Sequence, residues 1–108
     1  MIKASKVVFI SKELEDDFNS MTENDPIKKS IKRAIVELRR NAFSGIQIPK
    51  RLISNAYIQN YRINNLWKYD LPLGWRLLYT ITADNEVELI SAVLEWFSHK
   101  EYERKFRY

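Results

Sequence analysis

The apolar residues of this chain change period part-way along it, and that change restricts the fold more than any other feature. Leu14, Phe18 and Met21, and then Ile27, Ile31, Ala34, Ile35 and Leu38, recur three and four residues apart, which places each set on one face of a helix. From Asn65 onward the runs 66–71, 75–82 and 87–97 are short and rich in aromatic and β-branched residues, the pattern of strands. Helices followed by strands predict an α+β domain rather than alternating βαβ units. With 108 residues the chain is too short for two self-sufficient cores, so one domain spanning 1–108 is expected.

Local signals set the boundaries. Residues 7–10 form a short apolar run suited to a strand, and Ser11 follows as a helix N-cap. Glu13, Glu15 and Asp16 load the first turns, where the helix dipole favours negative charge. Asp25 before Pro26 restarts a helix that should run to about Arg40, giving an N-terminal strand and a helix hairpin. Residues 41–50, with Gly45 and Pro49, read as a loop holding a short extended piece. Residues 51–61 read as irregular turns with Leu52, Ile53, Tyr57 and Ile58 packed inward. Turns at 72–74 and 83–86 divide the later strands into an antiparallel meander, and Ser98 caps a short C-terminal helix with Tyr102 and Phe106 on one face. Ile27, Ile31, Ile35 and Leu38 should therefore face a mainly antiparallel, twisted sheet without parallel pairs, which also buries Val8, Leu77, Tyr79 and alternate residues of 87–97.

Composition excludes whole classes of function. Hydrophobic residues at 45% and aromatics at 13% supply enough apolar surface for a core and argue against a disordered chain. With no cysteine, one histidine and two glycines, the chain lacks a disulfide framework, an ordinary zinc site, a cysteine nucleophile and a glycine-rich phosphate loop. No metal or cofactor is expected, and the carboxylates at Asp16 and Asp17 read as a solvated helix start. No apolar run approaches the roughly 20 residues that cross a bilayer, so no membrane partner is expected. Residues 1–9 lack a secretory pattern, which places the protein in the cytoplasm. The net charge of +4 is unevenly spread, acidic over 13–25 and basic over 28–51 and the last nine residues, so one surface suits a polyanion.

Two segments concentrate chemistry. The run 97–106 holds the only histidine, His99, with Tyr102 and the cations Lys100 and Arg104: a proton-transfer group, an aromatic ring and phosphate-holding charges. Set against this, the residues alone favour the plainer reading, in which His99 is an exposed first-turn residue and Tyr102 packs on the sheet. In the strand 75–82, alternation puts Trp75, Leu77 and Tyr79 on one face and Arg76, Leu78 and Thr80 on the other. An arginine in so apolar a strand either pairs with a carboxylate, Asp70, Glu88 or Glu95, or grips a phosphate with its planar fork. Lys68 on the preceding strand flanks Arg76 or serves as a guard against edge-to-edge aggregation.

The run Gly74-Trp75-Arg76-Leu77-Leu78-Tyr79 resembles the glycine, aromatic, arginine, aliphatic pair, tyrosine motif of the RelE/ParE toxin superfamily. Leu66-Trp67-Lys68-Tyr69 is similar to the strand before that motif, and His99 to Tyr102 resembles the ending of many members. The resemblance covers element order over most of the chain and motifs over residues 66–106. It implies a metal-independent endoribonuclease that cuts messenger RNA, usually on the ribosome, and is neutralised by a cognate antitoxin. On that likeness Arg76, His99 and Tyr102 are the catalytic set. Lys68, Lys100, Arg104, Lys50 and Arg51 are the RNA-binding set. The superfamily also contains ParE-like inhibitors of a protein target and members without activity, so a non-catalytic inhibitor and an RNA-binding module that has lost catalysis are the alternatives. Asp70 stands on a strand where ribonuclease members carry further basic residues.

Overall fold

Both helix starts are made by the residues that the spacing marks. In a computed structural model describing residues 2–83 and 89–106, with Lys105 described by its backbone alone, Ser11 Oγ accepts from the Leu14 backbone N–H at 3.1 Å. This opens α1 (Lys12–Ser20). Asp25 Oδ1 accepts from the Ile27 N–H at 2.8 Å and Pro26 takes the first position of α2 (Pro26–Arg40). α2 ends with Arg39 and Arg40 in its last turn, where cations suit the dipole. Asn41 Oδ1 then accepts from the N–H groups of Lys3 and Phe43, both at 3.1 Å, and so ties the helix end to the start of the chain.

The strands are β1 (Ser5–Phe9), β2 (Ile46–Gln47), β3 (Trp67–Asp70), β4 (Arg76–Ala83) and β5 (Leu89–Phe97). They form one mixed sheet in the order β1-β5-β4-β3-β2. β2, β3, β4 and β5 pair antiparallel, as the meander requires. β1 corrects the expectation of no parallel pairs, because it lies parallel to β5 from Ser5 opposite Leu89 to Phe9 opposite Val93. The helix hairpin carries the chain from β1 at one edge to β2 at the other, so β1 takes its direction independently of the meander. The expected turn at 83–86, and Val87 and Glu88, lie largely or wholly outside the described residues.

Each sheet face has its own core. On one, Phe18, Ile31, Ala34 and Leu38 of the hairpin pack on Leu77, Tyr79 and Val93, with Val7, Phe9, Ile27 and Ile35 at the margin. Burying one such aliphatic side chain stabilises the fold by about 1.5–3 kcal/mol. Val8 does not join them: alternation turns it to the opposite side of β1, at the sheet edge, and it is exposed. The other face carries Leu66, Leu78, Leu94 and Phe97 beneath Ile53, Tyr102 and Phe106.

Two further features of this second face depart from the sequence reading. Residues 55–61 are not irregular but form α3 (Asn55–Tyr61), capped by Ser54 Oγ accepting from Tyr57 N–H at 3.4 Å. Tyr57 and Tyr61 pack inward while Ile58, expected inside, is exposed. A bulge in β5 breaks the expected alternation: Leu78 opposes Glu95 but Tyr79 opposes Val93, leaving Leu94 as the extra residue. Leu94 thereby joins the second core, and Glu95 accepts a short hydrogen bond from the Tyr57 hydroxyl. The C-terminal helix α4 (His99–Lys105) starts at Ser98, whose Oγ accepts from Glu101 N–H at 3.4 Å.

Candidate functional site

Strand register brings the candidate residues together. Arg76 opens β4, directly opposite Asp70 on β3 and Phe97 on β5, and Lys68 lies opposite Leu78. Side chains on one strand alternate, so Arg76, Leu78, Lys68 and Asp70 share the face that α4 covers. α4 buries Tyr102 and Phe106 against Phe97, with ring centroids 5.9 Å from Phe97 to Tyr102 and 4.9 Å from Tyr102 to Phe106. Tyr102 is 4% exposed.

Over this ring stand two cations. The Arg76 guanidinium carbon is 5.3 Å from the Tyr102 centroid and Lys68 Nζ is 5.6 Å from it, both within cation–π range. The same carboxylate oxygen, Asp70 Oδ1, lies 3.1 Å from Lys68 Nζ and 2.9 Å from Arg76 Nε. The two contacts differ in kind. Lys68 donates a hydrogen bond to Asp70, whereas Arg76 Nε is sealed from solvent with no directed hydrogen bond, so its contact is Coulombic. Arg76 Nη1 donates to the Trp75 carbonyl at 3.2 Å. The side chains of Lys68 and Arg76 are 17% and 16% exposed while that of Asp70 is 51% exposed, so the cations are held in the fold and the carboxylate closes them off from water. Of the partners that the strand pattern allows Arg76, Asp70 is found beside it, and Glu88 lies outside the described residues. Glu95 is engaged with Tyr57, whose hydroxyl is pushed above its ordinary value by burial and then by that carboxylate.

His99 is half exposed, with Nε2 2.9 Å from Glu103 Oε1 one helical turn on. Gly74 makes room for it. At φ +79 this residue adopts a backbone that side chains resist, and a Cβ there would stand 2.7 Å from the Cβ of His99. The glycine of the β3–β4 turn thus lets the first turn of α4 close on the strand that carries Arg76. Gly45 does the same at the far end of β3, where a Cβ would fall 2.4 Å from the Lys68 carbonyl oxygen.

Of the expected catalytic set, Arg76 and Tyr102 are in contact, and His99 begins the helix that supplies Tyr102. Lys68 joins them. The remaining expected RNA-binding residues do not: Lys100 and Arg104 are exposed two residues either side of the inward-facing Tyr102, and Lys50 and Arg51 are exposed on the turn Lys50–Leu52. Among the described residues no hydrogen bond or ion pair links these four to Arg76 or Lys68. Burial also changes what Tyr102 can do. With its ring packed among Phe97, Phe106 and the two cations, it positions Arg76 and Lys68 rather than offering a free face to a base.

Glu103 and Gly74 were not foreseen as parts of the site. The four-residue spacing of His99 and Glu103 was the available signal for the first; the second needed the docking of α4. No group of three or more metal-ligating side chains is assembled among the described residues, and Asp16 is taken up by Lys12 at 3.2 Å. Among the described residues no helix is long and apolar enough to cross a membrane. The chain shows no significant match to any family model, curated protein or solved structure.

Proposed function

We propose that this chain is a toxin-like, metal-independent endoribonuclease of the RelE/ParE kind, acting on messenger RNA in the cytoplasm and held in check by a cognate antitoxin. The observation that carries the reading is the convergence of Lys68, Arg76 and Tyr102, from two strands and a helix, with His99 at the start of that helix. Two cations fixed over an aromatic ring are suited to hold a phosphodiester and stabilise charge developing on it. The RNA 2′-oxygen then forms a bond to phosphorus as the bond to the 5′-oxygen breaks, leaving a cyclic phosphate. His99, held by Glu103, would take the 2′-hydroxyl proton and give a proton to the departing 5′-oxygen. DNA, lacking the 2′-hydroxyl, is not cut. The order of strand, helix pair, loop, meander and terminal helix supports the family likeness.

Replacing Arg76 by Ala tests this. Cleavage of single-stranded RNA in the presence of a chelator, and growth inhibition on expression, should both be lost, with Lys restoring them in part because it keeps the charge but not the fork. The lost ion pair should add little to the stability cost, since Asp70 is left half in water with Lys68 still beside it rather than stranded inside. A folded Arg76→Ala protein that cuts as well as the original would end this reading.

One observation favours a second reading, an RNA-binding member that does not cut. Asp70 already occupies the cation pair and Tyr102 is buried, which leaves His99 as the one exposed member of the catalytic set. RNA binding that weakens steeply with salt, in the absence of any cleavage product, would select it.

A further inference from the structure

We propose that Asp70 is a built-in substitute for phosphate, occupying the anion position between Lys68 and Arg76 until a phosphate group displaces it. The proposal takes from the RNA reading only the source of that phosphate, a single-stranded RNA.

Three observations lead to it. The first is which partner is fixed. Lys68 and Arg76 are more than four-fifths buried and stand over a ring that Phe97 and Phe106 hold in place, whereas Asp70 is half exposed. The exchangeable member of the triad is therefore the anion, and the position it would vacate is already lined by two preorganised donors. The second is the quality of the match. Asp70 has a short side chain on the strand next to Arg76, in direct register with it, so its reach is set by the sheet. Its oxygen comes within 2.9 Å of Arg76 Nε, yet the buried N–H finds no directed hydrogen bond. A tetrahedral phosphate arriving from solvent is not tethered to β3 and is free to present an oxygen along that N–H. The third is charge. Two cations against one carboxylate leave the triad with one positive charge, so an incoming anion meets attraction weakened by Asp70 but not abolished.

The consequence is selectivity as well as restraint. A ligand carboxylate offers the cations what Asp70 offers already, whereas a phosphate brings more acceptor oxygens and freer geometry. Asp70 thereby raises the threshold for occupancy, and in the empty protein it prevents two nearly buried like charges from facing each other unscreened.

The experiment compares the full chain with Asp70→Asn, Asp70→Ala and the double variant Asp70→Asn/Arg76→Ala, using inorganic phosphate and a short single-stranded RNA as probes. Asp70→Asn should bind both probes about fivefold more tightly or better, the factor expected for removing a competing ion pair of this exposure. Its melting temperature should climb with added phosphate more steeply than that of the unaltered protein. The double variant should lose the gain. A folded Asp70→Asn protein with no gain for phosphate, or a gain that survives loss of Arg76, overturns the proposal. So does failure of both single variants to fold even in phosphate, since Asp70 would then be structural; folding that returns on adding phosphate supports it. The two readings fail separately. Phosphate gain with no RNA binding by any variant keeps Asp70 and removes the RNA source, whereas Arg76-dependent RNA binding without a gain in Asp70→Asn does the reverse.

Discussion

The two faces of the sheet are built from different kinds of information. On the face under α1 and α2, the core residues come from a helical stripe and a strand alternation that both run true: Ile31, Ala34 and Leu38 meet Leu77 and Tyr79. On the face under α3 and α4, a bulge at Leu94, an unforeseen helix and the close approach of His99 to Gly74 decide who touches whom. The regular face supports and the irregular face carries the candidate chemistry, as expected when functional sites depart from local sequence rules.

Adjacent residues of β4 allow a direct contest between the faces, because Leu77 and Leu78 are both fully buried but point to opposite cores. Truncation of either to Ala should cost about 2–5 kcal/mol, read from urea denaturation. Only Leu78→Ala should also alter RNA binding measured on the folded protein, since it lies opposite Lys68 in the core that holds Tyr102. Equal effects on binding would show that the site is not confined to one face.

Tyr79 sharpens the comparison at intermediate size, because it belongs to the regular core yet ties down an irregular loop. Its hydroxyl donates to the Ala42 carbonyl at 2.8 Å and accepts from Gly45 N–H at 3.0 Å. Tyr79→Phe should cost about 1–3 kcal/mol by leaving buried backbone groups unpaired. Burial pushes the hydroxyl up to about 12 from an ordinary 10, so its contribution is whole below pH 10 and lost as pH climbs from there through 12. The alkaline loss of stability should shrink in Tyr79→Phe when both are followed by circular dichroism.

The smallest expected effect lies at the rim of the regular face. Lys28 is buried at the start of α2, where its Nζ lies over the Phe18 ring at 5.3 Å and donates to Glu23 Oε1 and to the Met21 carbonyl at 2.7 and 3.0 Å. Hydrogen bonds from Lys28 and then Lys32 lower Glu23 from 4.5 to about 2. A lowered carboxylate contributes fully above pH 4.5 and loses its contribution as pH falls from there through 2. Glu23→Gln should therefore reduce the dependence of the urea midpoint on pH across that acid range, without altering RNA binding. A change in binding would mean that the two faces are coupled.

Legibility follows the same division. The starts of α1, α2 and α4 were visible in Ser11, Asp25 and Ser98, because a cap is a bond between residues two or three apart. α3 was not, although Ser54 caps it, because the adjacent apolar residues Ala56, Tyr57 and Ile58 blur the four-residue spacing of Tyr57 and Tyr61. Within the site, Arg76 and Lys68 were recognisable as charges in apolar strands and Asp70 as one of three candidate partners. Their meeting over Tyr102 was not, since it depends on where α4 lands.

By itself, then, the sequence determined the α+β class, the starts of α1, α2 and α4, the meander and the sharing of one strand face by Arg76 and Leu78, all consequences of period and of bonds between near neighbours. The tertiary structure alone decided that β1 runs parallel to β5, that Leu94 bulges, that Tyr102 is enclosed and that Asp70 holds both cations. Each of these rests on a register or a docking between segments far apart in the chain, and the side-chain pattern within either segment fits more than one such arrangement.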